Sequence, residues 1–132
     1  MRGKALAAAG LATVIAGAGA ATALGGTSQS GDPVSIRLAG SPPNFSFRGV
    51  PDTIDAGRTT FRFRNTSQGQ ISHNFRVVRT LGGGRRFASK TLAAGESQSK
   101  TVNLTAGTYV ALCTIGDGFH AANGMLVAFT VE

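Results

Sequence analysis

Four residues able to bind a soft metal ion fall in one spaced pattern: His73, Cys113, His120 and Met125. Six residues separate Cys113 from His120, and four separate His120 from Met125. Two imidazoles, one thiolate and a weakly bound thioether are the donor set of a blue-copper electron-transfer site. The chain has only two His, one Cys and one Met besides Met1, so no spare copies of these types exist. That scarcity argues against chance placement.

Each of these residues also has a simpler explanation when taken alone. Cys113 could be a small core hydrophobe, and Met125 could fill the core from an apolar strand. Either histidine could be structural. It is the joint pattern that favours a copper site with His73, Cys113, His120 and Met125 as the ligands.

The first residues have the features of a secretory signal peptide rather than of a fold. A short basic start, Met1–Lys4, precedes an uncharged run rich in Ala and Gly from Ala5 to about Leu24. Ala21–Ala23 offers a small-x-small cleavage site. The alternative is an uncleaved anchor, because the run approaches the ~20 residues that span a bilayer. We therefore predict an exported protein of the periplasm, cell envelope or extracellular space.

The remaining chain predicts one domain. Residues 1–23 are interpreted as the signal segment, 24–32 as a flexible linker and 33–132 as a single folded domain of ordinary size. An exported chain with one cysteine cannot form an internal disulfide, which leaves Cys113 as a reactive thiol, an intermolecular partner or a metal ligand.

The charge is strongly basic. The formal net charge is +7, ten of the 13 basic residues are Arg, and the part after the signal segment carries +5. Such a surface favours acidic protein partners or anionic membrane surfaces, although solubility alone could also explain it. We predict no nucleic-acid binding, because export is expected, the basic residues are dispersed and no nucleic-acid motif is present.

The domain predicts short strands separated by turns, with no clear helical period. Apolar and polar residues alternate in Thr59–Asn65, with Phe61 and Phe63 inward and Arg62 and Arg64 outward. The other expected strands are Val34–Ala39, Asn44–Arg48, Thr53–Asp55, Ile71–Arg79, Ser97–Leu104, Tyr109–Cys113 and Leu126–Val131, with Arg85–Thr91 as an edge strand or loop. Strands at this spacing indicate an all-β Greek-key sandwich of about seven or eight strands.

Two stretches resemble the copper-binding elements of the cupredoxin family, which includes plastocyanins and azurins. Gly107–Ile115, followed by His120 and Met125, is similar to the C-terminal copper signature of that family. Ser72–Phe75 resembles its upstream His-Asn element, and three Ala-Gly pairs match its usual turns. The resemblance covers nearly the whole domain and implies the cupredoxin fold with one type 1 copper.

The resemblance also implies roles for single residues. His73, Cys113 and His120 would form the trigonal ligand set, and Met125 the weak axial ligand. Asn74 would support the site from outside, tying the His73 strand to the Cys113 loop. The six-residue spacing between Cys113 and His120 is longer than in plastocyanin-like or azurin-like loops. It includes Asp117, which could face solvent, bond within the loop or disturb the copper geometry.

The predicted function is a monomeric carrier of single electrons between redox partner proteins, without enzymatic activity. A copper oxidase or nitrite reductase of this family would need more histidines than the two present. A copper carrier or scavenger without redox cycling is the first alternative, and a metal-free interaction module is the second. Asn65 and Asn103 also match the short glycosylation pattern, which is weak support by itself.

Overall fold

Strand-forming alternation dominates the computed structural model of the chain, which describes residues 27–28, 31–82 and 84–132. Phe61 and Phe63 are buried and Arg62 and Arg64 exposed, as their period-2 pattern predicts. The strands are β1 (Thr27–Ser28), β2 (Val34–Ser41), β3 (Asn44–Arg48), β4 (Thr53–Ile54), β5 (Gly57–Asn65), β6 (Arg76–Arg79), β7 (Arg85–Ala88), β8 (Ser97–Leu104), β9 (Gly107–Leu112) and β10 (Leu126–Val131). One short helix, α1 (Phe119–Ala122), lies between β9 and β10.

The strands form two mixed sheets packed as a sandwich. The larger sheet has the order β1-β4-β10-β9-β6-β7, and the smaller has the order β3-β2-β5-β8. Strand β5 pairs in parallel with β2 and antiparallel with β8, so neighbours in the sheet are not neighbours in the chain. The all-β sandwich is confirmed. The described residues contain ten strands rather than seven or eight, because β1 forms within the predicted linker and β7 forms in the segment expected to be an edge strand or loop.

The core lies between the two sheets and is rich in aromatic rings. Phe61 packs on Phe63 with ring centroids 5.9 Å apart, and Tyr109 packs on Phe129 at 5.5 Å. Burying side chains of this kind contributes roughly 1.5–3 kcal/mol each in transfer free energy, which is the main stabilising contribution in a small sandwich. The core therefore holds the two sheets as one rigid support for the strand ends.

The predicted strand Ile71–Arg79 is shorter in the structure, where β6 begins at Arg76. The backbone N–H of Asn74 points to the sulfur of Cys113, and that of Phe75 donates to the Ser89 hydroxyl at 2.8 Å. Because both N–H groups are used elsewhere, the regular ladder is interrupted before Arg76. His73 instead forms an isolated antiparallel bridge with Leu92, and its side chain is buried.

The domain limits expected at the N terminus stay predictions. The proposed signal segment 1–23 lies outside the described residues. Within the predicted linker 24–32, Thr27–Ser28 pairs in parallel with Thr53–Ile54. The backbone groups at the edge of β4 are open to such pairing. In the part of the chain that the structure describes, no helix is long and apolar enough to cross a bilayer.

Candidate metal centre

Adjacent strand ends bring the predicted ligands to one end of the sandwich. Cys113 directly follows β9 and Met125 directly precedes β10, and these strands pair with Leu112 opposite Leu126. His120 lies in α1, within the loop between them. His73 reaches the same place from the neighbouring strand, because β6 pairs with β9 so that Arg76 lies opposite Leu112. Three sequence-distant segments thus converge.

Three donor atoms form a small triangle in the interior. The Nδ1 atoms of His73 and His120 lie 3.0 Å apart. The sulfur of Cys113 lies 3.6 Å from Nδ1 of His120 and 4.0 Å from Nδ1 of His73. All three residues are buried, and they form a group able to hold one metal ion.

This triangle passes a simple test for a shared metal. Metal–nitrogen and metal–sulfur bonds are about 2.0–2.3 Å long, as known for zinc, so two donors of one ion cannot lie more than about 4.6 Å apart. The observed separations of 3.0, 3.6 and 4.0 Å all meet this limit. Two imidazole nitrogens and one thiolate sulfur in a trigonal arrangement are the strong donors of a type 1 copper site.

Met125 is held at the cluster by backbone hydrogen bonds, and its side chain is buried there. Its N–H donates to the carbonyl of His120 at 2.9 Å, and its carbonyl accepts from the N–H of Cys113 at 3.1 Å. The side chain is fully buried. Gly124 beside it is held against β3, since an added Cβ there would overlap the carbonyl oxygen of Phe45. These contacts fix the fourth predicted ligand at the same end of the fold.

The long loop between Cys113 and His120 turns outward. Gly116, Asp117 and Gly118 all have positive φ, at 67°, 51° and 88°. Glycine adopts this region readily, whereas Asp is one of the few other residues that tolerate it. Asp117 is exposed, which supports the solvent-facing alternative for this carboxylate. The extra residues therefore project away from the donor atoms.

Helix α1 was not predicted from the sequence. It is a single turn, Phe119–Ala122, and four residues are too few to show a helical period. Its carbonyl groups nevertheless matter for the site, because His120 accepts from Met125 and so closes the loop.

Asn74 connects the two ligand segments as expected. Its side-chain amide donates to the Thr114 hydroxyl at 2.8 Å, and its carbonyl oxygen accepts from the Thr114 N–H at 2.8 Å. Its own backbone N–H lies 3.5 Å from the Cys113 sulfur. The pair of hydrogen bonds locks the position of Cys113 relative to His73.

A hydroxyl contact to His73 was missed by the sequence analysis. The Ser67 hydroxyl lies 2.7 Å from Nε2 of His73, on the opposite side of the ring from the donor triangle. A proton held on Nε2 for this bond leaves Nδ1 with its lone pair free for a metal. Serine is a common residue in loops, and a serine six residues before a histidine does not by itself indicate a contact between them.

Asn65 fixes the loop that carries Ser67. Its side-chain nitrogen donates to the carbonyls of Ile71 and Leu92, each at 2.8 Å, and its side-chain oxygen accepts from Ser67 N–H at 2.9 Å. The residue is fully buried, so its match to the glycosylation pattern has no accessible acceptor in the fold. Strand alternation could have identified it, because it continues the buried face of Phe61 and Phe63.

Aromatic rings enclose the histidines. Phe45 stacks on His120 with centroids 4.0 Å apart and meets His73 edge-on at 5.6 Å. His73, Cys113 and Met125 are fully buried, whereas His120 keeps 8% of its surface exposed. Phe119 and Leu126 beside it are 49% and 57% exposed. His120 is therefore the member of the cluster that reaches solvent, in an apolar setting.

Burial keeps the three donors uncharged in the protein without metal. It lowers the pKa of His73 to about 4, with the nearby His120 adding to the effect and a hydrogen bond to the backbone of Gly40 opposing it. Burial also lowers the pKa of His120 and raises the pKa of the Cys113 thiol. The backbone N–H groups of Asn74 and Ile115 oppose the rise for Cys113. Neutral imidazoles are the form that binds metals.

Comparison with known proteins supports this assignment through structure alone. No protein-family model and no curated protein matches the sequence. Reduced auracyanin from Roseiflexus castenholzii is 27% identical over 77% of this chain and 99% of its own, with a TM-score of 0.61. Rusticyanin from Thiobacillus ferrooxidans is 25% identical over 80% of each chain, with a TM-score of 0.56. Auracyanin A from Chloroflexus aurantiacus, a "blue" copper protein, is 20% identical over 76% of this chain and 100% of its own, with a TM-score of 0.56.

These structures are cupredoxins, and the present chain shares their β-sandwich fold and has metal-binding residues of the same kind. The cluster of His73, Cys113, His120 and Met125 is typical of a type 1, or blue, copper site. The family resemblance predicted from the two sequence elements is thereby confirmed.

Proposed function

We propose that this cupredoxin is an exported blue copper protein that carries single electrons between redox partners of the cell envelope. The observation that carries the proposal is the buried triangle of two imidazole nitrogens and one thiol sulfur, with sides of 3.0, 3.6 and 4.0 Å. Copper held by this donor set would cycle between Cu(II) and Cu(I) and so supply one-electron transfer.

The surrounding residues hold the donors in place. Asn74 and Thr114 join the two ligand segments through two side-chain hydrogen bonds, and Ser67 orients the ring of His73. A ligand set that needs little movement when the charge of the metal changes exchanges electrons with a low barrier. Rigid support of the ligands from outside is therefore the main contribution of this fold.

His120 provides the route to a partner. Its ring is the part of the cluster with solvent contact, and Phe119 and Leu126 expose apolar surface next to it. A partner that covers this end can approach the site closely over apolar surface. The same surface would release the partner readily, as turnover of a carrier requires.

We propose no substrate chemistry for this site. Both histidines of the chain already belong to the cluster, so none remains for a second copper centre of the kind that a copper oxidase would need. Export is proposed from the signal-like residues 1–23. A monomer with acidic redox partners is the corresponding proposal for its associations.

Titration of the purified protein with Cu(II), followed by visible and EPR spectra, tests the function. Intense visible absorption that disappears reversibly on reduction supports the electron carrier. The Cys113→Ser variant should lose this absorption and still fold, since serine matches the small volume of the thiol. Colourless binding of Cu(I) alone would indicate a copper carrier, and no copper binding would indicate a metal-free interaction module.

A further inference from the structure

The outer face of the smaller sheet carries an unusual set of charges. The strand register places Arg48, Arg37 and Arg64 directly opposite one another on β3, β2 and β5. Arg62 and Arg58 lie further along β5 on the same face. All five side chains are exposed. We refer to these five residues as the arginine face.

The direct opposition of like charges destabilises a sheet. No strand of the sheet contributes a carboxylate beside these arginines, since all six carboxylate residues lie outside the strands: Asp32, Asp52, Asp55, Glu96, Asp117 and Glu132. Solubility does not require arginines to lie directly opposite one another, because the same charges spaced apart would keep the protein soluble without the repulsion. The opposed row therefore has an unfavourable electrostatic energy within the sheet that an external anionic partner would relieve.

The side-chain chemistry of the face favours carboxylates. All five cations are Arg and none is Lys, and the planar guanidinium group pairs with a carboxylate through two parallel hydrogen bonds. Between the arginines the sheet presents small hydroxyl residues, which leave room for an incoming chain. A depression of about 300 Å³ on this face is lined by Ser35, Arg37, Arg62, Arg64, Ser97 and Ser99, together with Ile36, Phe63 and Gln98.

The large exposed apolar residues are elsewhere. Among the described residues these are Leu81, Phe119 and Leu126, and none projects from the arginine face. Surfaces that bind bilayers usually add inserting apolar side chains to their basic groups. A face with exposed arginines and no large exposed apolar side chain suits a hydrated, carboxylate-rich protein surface better than a membrane.

The arginine face also lies beside the metal centre. Arg64 is followed by Asn65, whose side chain holds the loop of Ser67. Arg48 is three residues from Phe45, which stacks on His120, and three residues of strand span about 10 Å. A partner seated on this face would therefore lie next to the end at which His120 reaches solvent.

We propose that the arginine face is the docking surface for an acidic protein partner. The identification of that partner as a redox protein rests on the proposed electron-carrier function, whereas the recognition of carboxylates by this face does not.

A charge-matched pair of variants tests the proposal with a decaglutamate peptide as the probe. The face variant combines Arg37→Gln, Arg48→Gln and Arg64→Gln. The control variant combines Arg76→Gln, Arg86→Gln and Lys90→Gln, which removes the same charge from residues of the other sheet and its following loop. Binding is measured by amide chemical shifts of the labelled protein at low salt, with and without copper.

The face variant should bind decaglutamate about tenfold more weakly, as expected for the loss of three exposed ion pairs, while the control loses much less. The largest shifts should fall on β2, β5 and β8. The face variant should also melt no lower than the unmodified protein, because the repulsion is removed. A lower melting temperature would show that these arginines hold the sheet together, and would overturn the proposal.

Two further outcomes would contradict it. Equal weakening in both variants would show that net charge alone attracts the peptide. The partner would instead be a membrane if the protein failed to bind decaglutamate but sedimented with phosphatidylglycerol-containing vesicles, and if the face variant no longer did so. If this face binds decaglutamate but the protein takes up no copper, the docking surface is supported and only the proposed electron-carrier function is rejected.

Discussion

The hydroxyl oxygen of Ser67 lies 2.7 Å from Nε2 of His73, and Nδ1 of the same ring lies 3.0 Å from Nδ1 of His120. One ring thus joins an outer hydrogen bond to the donor triangle. A histidine that binds metal commonly donates its other N–H to an outer partner, which fixes both tautomer and orientation.

Ser67→Ala should therefore weaken copper binding. Loss of an outer partner of this kind typically reduces metal affinity about 10- to 100-fold. The reduction potential and the EPR spectrum should change as well, because the His73 ring would be free to turn. Competition with a copper chelator measures the affinity. Ser67→Thr keeps the hydroxyl and should restore most of it, and a Ser67→Ala variant with unchanged affinity and spectrum would show that the contact plays no role.

Asn65 supplies a second prediction, about stability. Asn65→Ala removes three side-chain hydrogen bonds, those to the Ile71 carbonyl, the Leu92 carbonyl and the Ser67 N–H. The Leu92 carbonyl keeps the N–H of His73, whereas the other two groups lose this partner, and a buried group left unsatisfied costs roughly 1–3 kcal/mol. We expect unfolding free energy to fall by about 3 kcal/mol or more, measured by urea denaturation of the copper-free protein. Asn103→Ala on an exposed position of β8 is the control and should change stability by less than about 0.5 kcal/mol. A similar small change for both variants would refute the assigned network.

The sequence predicted the features of the fold that depend on local patterns, and it missed those that depend on contacts between distant segments. The strand alternation of β5 and the approximate limits of β8 and β10 depend on local patterning, and the sequence predicted them. The convergence of His73, Cys113 and His120 was predicted through the family resemblance. The contact of Ser67 with His73 and the late start of β6 at Arg76 depend on hydrogen bonds between distant segments, including those of Asn74 and Phe75. No local sequence pattern encodes these bonds.

The arginine row shows a similar limit. Alternation predicted that Arg62 and Arg64 point outward. That Arg37 and Arg48 lie directly opposite Arg64 depends on strand order and register. Register between β2 and β5 is parallel and nonlocal, so the row could not be seen before the fold was known.

The pKa shifts predict how the copper-free protein responds to acid. The pKa of His73 is lowered to about 4 in the fold by burial and by His120, from 6.5 for the free group, and burial lowers that of His120 as well. Between these values the unfolded chain binds more protons than the folded one. Stability from these histidines is therefore full above pH 6.5 and is lost as pH falls from 6.5 towards about 4.

Cys113 determines how the stability of the copper-free protein changes at alkaline pH. Burial raises its pKa in the fold above the ordinary 9.0, so the unfolded chain loses this proton first and stability decreases as pH rises beyond 9.0. Urea midpoints of the copper-free protein should thus be highest between about pH 7 and 9. The Cys113→Ser variant should keep the acidic slope and lose the alkaline one. A midpoint that does not change between pH 4 and 7 would contradict the burial of neutral histidines.

Met125 gives the last prediction, on the reduction potential. The side chain is fully buried, and its backbone bonds to His120 and Cys113 hold it at the metal centre. Met125→Leu nearly conserves volume and should cost less than about 1.5 kcal/mol, while the three strong donors still bind copper. Because the axial ligand tunes the potential of such sites, and an apolar group cannot help to stabilise Cu(II), the potential should rise. Voltammetry measures it, with Leu104→Met, buried at the far end of β8, as a control that should leave the potential unchanged. Complete loss of copper in Met125→Leu would make Met125 an essential ligand, and an unchanged potential would make it only a packing residue.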